Sequence, residues 1–107
     1  MATAGSRIIG PTTIASTNNS TLYTSTAVTT DVKSIIISNT TALDAWISMA
    51  INGTAATAAN CFVYQHVIPA AGVWTWDGFL WMASGDTFQA QMQTSSALQI
   101  TASGITQ

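Results

Sequence analysis

Apolar and polar residues alternate along much of this chain, and the alternation is clearest between residues 45 and 51. The apolar positions of that run are Ile47, Met49 and Ile51, and the positions between them are Trp46, Ser48 and Ala50. A period of two residues is typical of a β-strand with one buried face. The run is therefore predicted to be a strand whose isoleucine and methionine side chains face the core.

The run before it, residues 32–38, contains three consecutive isoleucines, Ile35, Ile36 and Ile37. Continuous β-branched residues are typical of an interior strand covered on both faces. Short polar residues at 38–41 and the Asn52-Gly53 pair favour turns after the two runs. The two runs are predicted to be the central pair of one sheet.

Further runs of strand-forming residues follow at even spacing, at 21–26, 61–68, 73–82, 87–93 and 98–103. In the run from residue 87, Phe88, Ala90 and Met92 alternate with Thr87, Gln89, Gln91 and Gln93. Asp77-Gly78 is predicted to form a hairpin or a bulge, and residues 54–60 a loop. Several short strands without an apolar helical period predict an all-β domain, an antiparallel β-sandwich or jelly roll, over residues 21–107.

Residues 1–20 carry scattered isoleucines without a regular alternation. We expect this segment to be an N-terminal arm or an edge strand that packs on a neighbouring subunit. Ile8, Ile9 and Ile14 are therefore candidate interface residues. Trp46 is a fourth candidate, because it lies opposite the predicted core face of its strand and needs a second sheet or another subunit to cover it.

Charge is scarce, since the chain has two cations and four carboxylates, or 6% charged residues against about 25% in ordinary soluble domains. With 48% apolar residues, such a weakly charged exterior favours a homo-oligomer. Nucleic-acid binding is not expected, because it depends on clusters of lysine and arginine. The sequence has neither the apolar core of a signal peptide nor an uninterrupted membrane span.

Candidate chemistry is sparse, and we expect neither an enzyme nor a cofactor or metal site. His66 is the only histidine and Cys61 the only cysteine, so a hydrolytic triad would require His66 with one of four aspartates, without a nucleophile-elbow motif. Asp77 and Asp86 each adjoin a glycine, which is typical of turns. The tryptophans Trp74, Trp76 and Trp81 either pack in the core or form a sugar-stacking platform.

Five segments together resemble a group of small virion structural proteins of tailed bacteriophages. They are TLYT at 21–24, VKSIIISNTT at 32–41, ING at 51–53, SGDTFQAQ at 84–91 and ALQITASGI at 97–105. The resemblance implies a β-sandwich or jelly-roll particle component and carries over no catalytic residue.

These expectations combine into a virion structural protein, most specifically a capsid decoration (cement) protein. It would assemble as a trimer on the capsid exterior, in contact with the major capsid protein, within the host cytoplasm. A tail, neck or fibre component is the alternative within the same class. A carbohydrate-binding module that uses the tryptophans is the alternative from another class.

Overall fold

The computed structural model describes the backbone of residues 4–14, 17–94 and 96–106, and side chains within those ranges from residue 7 onward. Eight strands make up the fold: β1 Ala4–Thr13, β2 Ser20–Thr24, β3 Thr29–Asn39, β4 Ala45–Ile51, β5 Cys61–Ile68, β6 Val73–Ala83, β7 Thr87–Met92 and β8 Leu98–Thr106. One short 3-10 turn, Ala58–Asn60, precedes β5. Within the described ranges, no helix is long and apolar enough to cross a membrane.

The strands form two four-stranded antiparallel sheets. The first sheet has the order β1-β8-β3-β6, and the second has the order β2-β7-β4-β5. The chain behaves as one long hairpin rolled onto itself, because β4 pairs with β5, β3 with β6, β2 with β7 and β1 with β8. This pairing is the jelly-roll arrangement, so the predicted all-β antiparallel sandwich is confirmed.

The core lies between the sheets and is built by the alternating strands. In β7, Phe88, Ala90 and Met92 are buried, whereas the intervening glutamines are half-buried on the outer side. Ile47 and Met49 of β4 join the same core cluster. The alternation read from the sequence in these two strands is therefore confirmed.

The pairing predicted for residues 32–38 and 45–51 is wrong, because β3 and β4 belong to different sheets. Each is nevertheless an interior strand of its own sheet. The short connection after Asn39 carries the chain from one sheet to the other, which is how a jelly roll buries two strand faces against each other. Close sequence neighbours thus face each other across the core instead of sharing hydrogen bonds.

The isoleucine run of β3 is also covered differently from the prediction. Ile35 and Ile37 are fully buried, but Ile36 is 44% exposed on the outer side of the first sheet. The expectation that both faces of this strand are covered is therefore wrong within this chain. An isoleucine on an outer sheet face leaves apolar surface in water.

The outer side of β4 is covered by a loop of the same chain. Ser48, Ala50 and Ala55 are fully buried, although neither alanine belongs to the main core cluster. The Ala55 N–H donates to Asn19 Oδ1 at 2.8 Å, and Asn19 Nδ2 donates to Gln89 Oε1 at 2.9 Å. Since Asn19 directly precedes β2, the loop after β4 must cross the outer side of the second sheet.

Among the irregularities of the first sheet, two lie where β3 pairs with β6 and with β8. Between the Val32–Leu80 and Ser34–Asp77 pairs, β6 contributes one more residue than β3, which places a bulge at Gly78 and Phe79. Lys33 is the extra residue of β3 relative to β8. Asp77-Gly78 is therefore a bulge within one continuous strand, the second of the two predicted alternatives.

β8 continues through Gly104 to Thr106. Gly104 pairs with Val32, next to the bulge of β3. A Cβ atom at position 104 would overlap the carbonyl oxygen of Asp31. Glycine is needed here because two backbones approach closely.

The N-terminal segment contributes the edge strand of the first sheet. β1 pairs with β8 from Ala4 to Thr13, and Ile9 and Ile14 lie in the core at 4% and 2% exposure. Of the predicted alternatives, arm or edge strand, residues 4–13 adopt the edge-strand conformation. Contact of residues 1–20 with a neighbouring subunit stays a prediction.

Candidate functional site

The residues that could carry chemistry are dispersed. No three histidine, cysteine, aspartate or glutamate side chains cluster within the described residues, and these residues enclose no pocket. Burial raises the pKa of the Cys61 thiol, which keeps it in the protonated, weakly nucleophilic form. His66 is exposed and stacks on Trp74 with ring centroids 4.0 Å apart, so the ring contact accounts for its position.

The three tryptophans of β6 do not share a face. Trp74 and Trp76 pack against the core, whereas Trp81 is 53% exposed on the outer side of the first sheet. Ordinary alternation separates them, because Trp81 lies an odd number of residues from Trp74 and Trp76, and the inward Leu80 and Met82 keep the same alternation beyond the bulge. These tryptophans therefore form no common sugar-stacking platform.

Aromatic rings close the side of the sandwich between the edge strands β5 and β6. Phe62 contacts Trp76 edge to face at 5.6 Å and Phe88 at 6.0 Å. His66 and Trp74 make the second contact between the same two strands. Aromatic pairs in such geometry add stability beyond the area they bury, so the inward tryptophans have a structural role.

The outer side of the first sheet is different in character, and we call it the mixed face. It is formed by the outward side chains Arg7, Asp31, Lys33, Ile36, Asp77, Phe79 and Trp81. The strand register places Arg7, Ser103, Ser34 and Asp77 in one row across the four strands, and Asp31 beside Trp81 in another. Four of the six charged residues of the protein lie on this face.

Large apolar side chains stand among those charges. Phe79 is 62% exposed, and the Lys33 Nζ lies 4.4 Å from its ring centroid. This cation–π contact places the lysine stem along the ring and holds the charge on the face. Together with Trp81 and Ile36, Phe79 leaves an aromatic and aliphatic surface in water.

The outer side of the second sheet lacks the charges of the mixed face, although Tyr64 and Val67 of its edge strand β5 are 47% and 53% exposed. The strands β2, β4, β5 and β7 contain no aspartate, glutamate, lysine or arginine. Its glutamines bond within the chain, since Gln91 Nε2 donates to the Thr17 carbonyl at 3.2 Å and Gln89 accepts from Asn19. The two outer sides therefore differ in charge and in how far their polar side chains are hydrogen-bonded within the chain.

The interface candidates taken from the sequence are distributed over the molecule. Trp46 is half-buried on the outer side of the second sheet, and its backbone N–H donates to Gln93 Oε1 at 3.2 Å. Ile8 is half-buried in β1. Ile9 and Ile14 are core residues with almost no surface to offer a partner. An interface role for Trp46 and Ile8 stays a prediction.

Sequence reasoning missed the mixed face, although a partial signal was present. Asp31, Lys33 and Ile36 are close in sequence, and two charges within a strand indicate an outer side. In β6, Asp77, Phe79 and Trp81 follow the two-residue period on one side, but Asp77-Gly78 was also consistent with a hairpin. In β3, the extra residue Lys33 breaks the period between Asp31 and Ile36, which hid their position on one side.

A turn at one end of the sandwich joins the two sheets through Asp86. Its carboxylate accepts hydrogen bonds from Asn52 Nδ2 and from the Ala83 N–H, both at 2.9 Å. The Asn52 side chain holds the pKa of Asp86 below its usual value, the Ala83 N–H adds to this effect, and desolvation opposes it. The turn at residues 85–87 thus links β6, β7 and the end of β4 through hydrogen bonds.

The hydrogen bonds of the Asp86 carboxylate predict a loss of stability in acid. A carboxyl group whose pKa is lowered by folding stabilises the folded state above its unfolded pKa of about 3.9, and that contribution is lost as pH falls through the folded pKa. We expect Asp86→Asn to lower the melting temperature at pH 6 and to approach the wild type at pH 3. Thermal melts at both pH values test this. A gap between the two proteins that stays constant with pH would contradict it.

No family model matches the sequence, and no curated protein matches it. Among solved structures, the chain is similar to a pentameric capsid protein isolated from metagenomic phage sequences, with a TM-score of 0.45 and 13% identity over 95% of this chain. A second structure of such a protein gives 0.44 and 13% over 98%. A structure of infectious bursal disease virus, Gx strain, gives 0.46 and 4% over 97%. The chain spans 60% of the phage capsid proteins and 31% of the bursal disease virus chain.

Proposed function

We propose that the protein is a structural component of a bacteriophage virion, most specifically a decoration (cement) protein on the capsid exterior, and that it is not an enzyme. The mixed face carries this proposal. Small-molecule and catalytic sites are concave and bring polar groups together, whereas the described residues enclose no pocket and this face is the outer side of a sheet with exposed aromatic side chains and both signs of charge. Such a surface suits contact with another protein.

The sequence resemblance to virion proteins of tailed phages supports the same class. The resembling segments coincide with framework elements, since residues 32–41 span most of β3 and residues 84–91 span the Asp86 turn and most of β7. Residues 97–105 correspond to most of β8. These segments hold the sandwich together, which is what a shared structural role requires.

The proposed partners are other copies of this chain and the major capsid protein, in a virion assembled in the host cytoplasm. Self-association follows from the scarcity of charge, because a weakly charged exterior with exposed apolar residues favours closed assembly. A trimer remains the sequence-based expectation for that assembly. Nucleic acid and membrane lipid are not proposed as partners, because two cations offer little to anionic ligands.

A tail, neck or fibre component is the second candidate, since the same face would serve in those positions. A carbohydrate-binding module is not favoured, because Trp74 and Trp76 are used in packing and Trp81 lies on the opposite side of β6.

A density map of the intact particle tests the location, supported by mass spectrometry of separated heads and tails. We expect density for this jelly roll on the outer surface of the head, and peptides of the chain in the head fraction. Peptides found only with tails would replace the decoration role by the second candidate. Absence from purified particles would overturn the virion proposal altogether.

A further inference from the structure

The mixed face is balanced in charge, although the protein is not. Arg7 and Lys33 lie on it with Asp31 and Asp77, so its formal charge is zero. The net charge of −2 comes from Asp44 and Asp86, which lie in the connections after β3 and after β6. Two copies that meet through this face therefore bring together equal numbers of cations and carboxylates, while the uncompensated charges stay outside the contact.

The face also has the size and composition of a protein interface. Four strands spaced about 4.8 Å apart and about ten residues long at roughly 3.3 Å each give a surface on the order of 600 Å². A specific interface buries about 800 Å² per partner, and side-chain relief raises the accessible area of a sheet above its projected area. Exposed Trp81, Phe79 and Ile36 supply the aromatic and aliphatic content that interface centres require.

We propose that a second copy of this chain covers the mixed face, in a two-fold contact that packs the first sheets of two subunits against each other. In such a contact both copies use the same patch. Each pair of residues that meets across the contact therefore occurs twice, once with the roles of the two copies exchanged. A patch with two cations and two carboxylates satisfies this condition, because the cations of each copy face the carboxylates of the other. A nucleic-acid or anionic lipid partner would need an excess of cations, which the face lacks.

The inference rests on the self-assembly part of the proposed function and is independent of the location in the particle. It assigns a pair of subunits in place of the trimer expected from the sequence, because a three-fold ring needs two different surfaces on each copy. Sedimentation equilibrium of the full-length protein at micromolar concentration distinguishes these states. We expect twice the chain mass of 11.2 kDa. A monomer throughout, or a trimer without a dimer, would overturn the two-fold contact.

A charge-reversal experiment tests the face itself. Lys33→Asp leaves it with one cation and three carboxylates, and Asp77→Lys leaves it with three cations and one carboxylate. Each variant alone brings like charges together, which we expect to weaken dimerisation at least about tenfold. Mixed in equal amounts, the two variants carry opposite faces and should form a heterodimer at least as tight as the wild-type dimer. A mixture that associates no better than either variant alone would contradict the proposal.

Matched variants test whether the contact uses this face or another part of the surface. Asp44→Lys changes the net charge as much as Asp77→Lys but lies off the mixed face, so it should leave dimerisation unchanged. Trp81→Ala should weaken it by about thirtyfold, the scale of an interface tryptophan, whereas Trp46→Ala on the second sheet should not. The reverse result for the two tryptophans would move the contact to the second sheet. Circular dichroism of each variant verifies folding, and the particle map tests the virion role separately.

Discussion

Replacing Met92 with aspartate should unfold the protein at room temperature. Met92 lies in β7 at 1% exposure and pairs with Ile47 in the centre of the second sheet. The change removes a buried apolar side chain worth about 2 kcal/mol and places a carboxyl group in the core, where desolvation costs several kcal/mol. The total approaches the 5–15 kcal/mol that stabilises an ordinary domain. Loss of the cooperative thermal transition, followed by circular dichroism, measures the effect.

Gln91→Asp is the matched control, because Gln91 directly precedes Met92 in the same strand and faces outward. Its side chain makes one hydrogen bond, from Nε2 to the Thr17 carbonyl. Loss of that bond should cost about 1 kcal/mol, and the variant should melt cooperatively. If Met92→Asp and Gln91→Asp were equally tolerated, the assignment of inner and outer sides in β7 would be wrong.

The contrast between these two residues shows what the sequence predicts well. In β7, burial follows the two-residue period, and Phe88, Ala90 and Met92 are assigned to the core correctly. The fold class follows from the number and spacing of such runs. The candidate interface does not follow from the same pattern, because an outer side looks alike whether solvent, a loop or another subunit covers it.

Long-range features account for the remaining differences. The sheet that a strand joins depends on pairings such as β1 with β8, which connect the two ends of the chain, and no local pattern encodes them. Ser48 is contacted by β5, where the Gln65 N–H donates to its hydroxyl at 2.8 Å, and Ala55 is bonded to Asn19 from a separate loop. The position of Asp31 and Ile36 on one side of β3 depends on the extra residue Lys33, which appears only in the pairing of β3 with β8. Each of these features arises from contacts between distant segments.

Asn39 is a residue whose importance only the structure shows. It ends β3 at 3% exposure, and its side chain uses all of its hydrogen-bonding capacity. Nδ2 donates to the carbonyls of Leu43 at 2.8 Å and Ile68 at 3.0 Å. Oδ1 accepts from the Thr41 N–H at 2.9 Å and from the Thr41 hydroxyl at 2.7 Å. The amide therefore holds the crossing from β3 to β4 against the end of β5.

Thr40→Val is the matched control for that network. Thr40 is the exposed neighbour of Asn39, and its hydroxyl makes a single bond to the Ala97 carbonyl at 3.2 Å. We expect Thr40→Val to cost less than about 1 kcal/mol. If Thr40→Val cost as much stability as removal of the Asn39 amide, the crossing would respond to any change and the amide would have no special role.

Asn39→Leu should then destabilise the protein by about 3–5 kcal/mol while preserving the volume of the side chain. The substitution leaves the buried Ile68 carbonyl and the part-buried Thr41 N–H without the Asn39 amide, and each buried unpaired group costs about 1–3 kcal/mol. The Leu43 carbonyl keeps the Thr41 hydroxyl as a donor at 3.0 Å. For a domain of this size, the loss corresponds to a fall in melting temperature of at least about 12 °C. Asn39→Asp should also be destabilising, because a carboxylate oxygen would replace the donor that faces two carbonyl oxygens. Calorimetric melts of the wild type and the three variants provide the measurement, and an Asn39→Leu protein that melts within about 3 °C of the wild type would contradict the role of Asn39 as the connection between the two sheets.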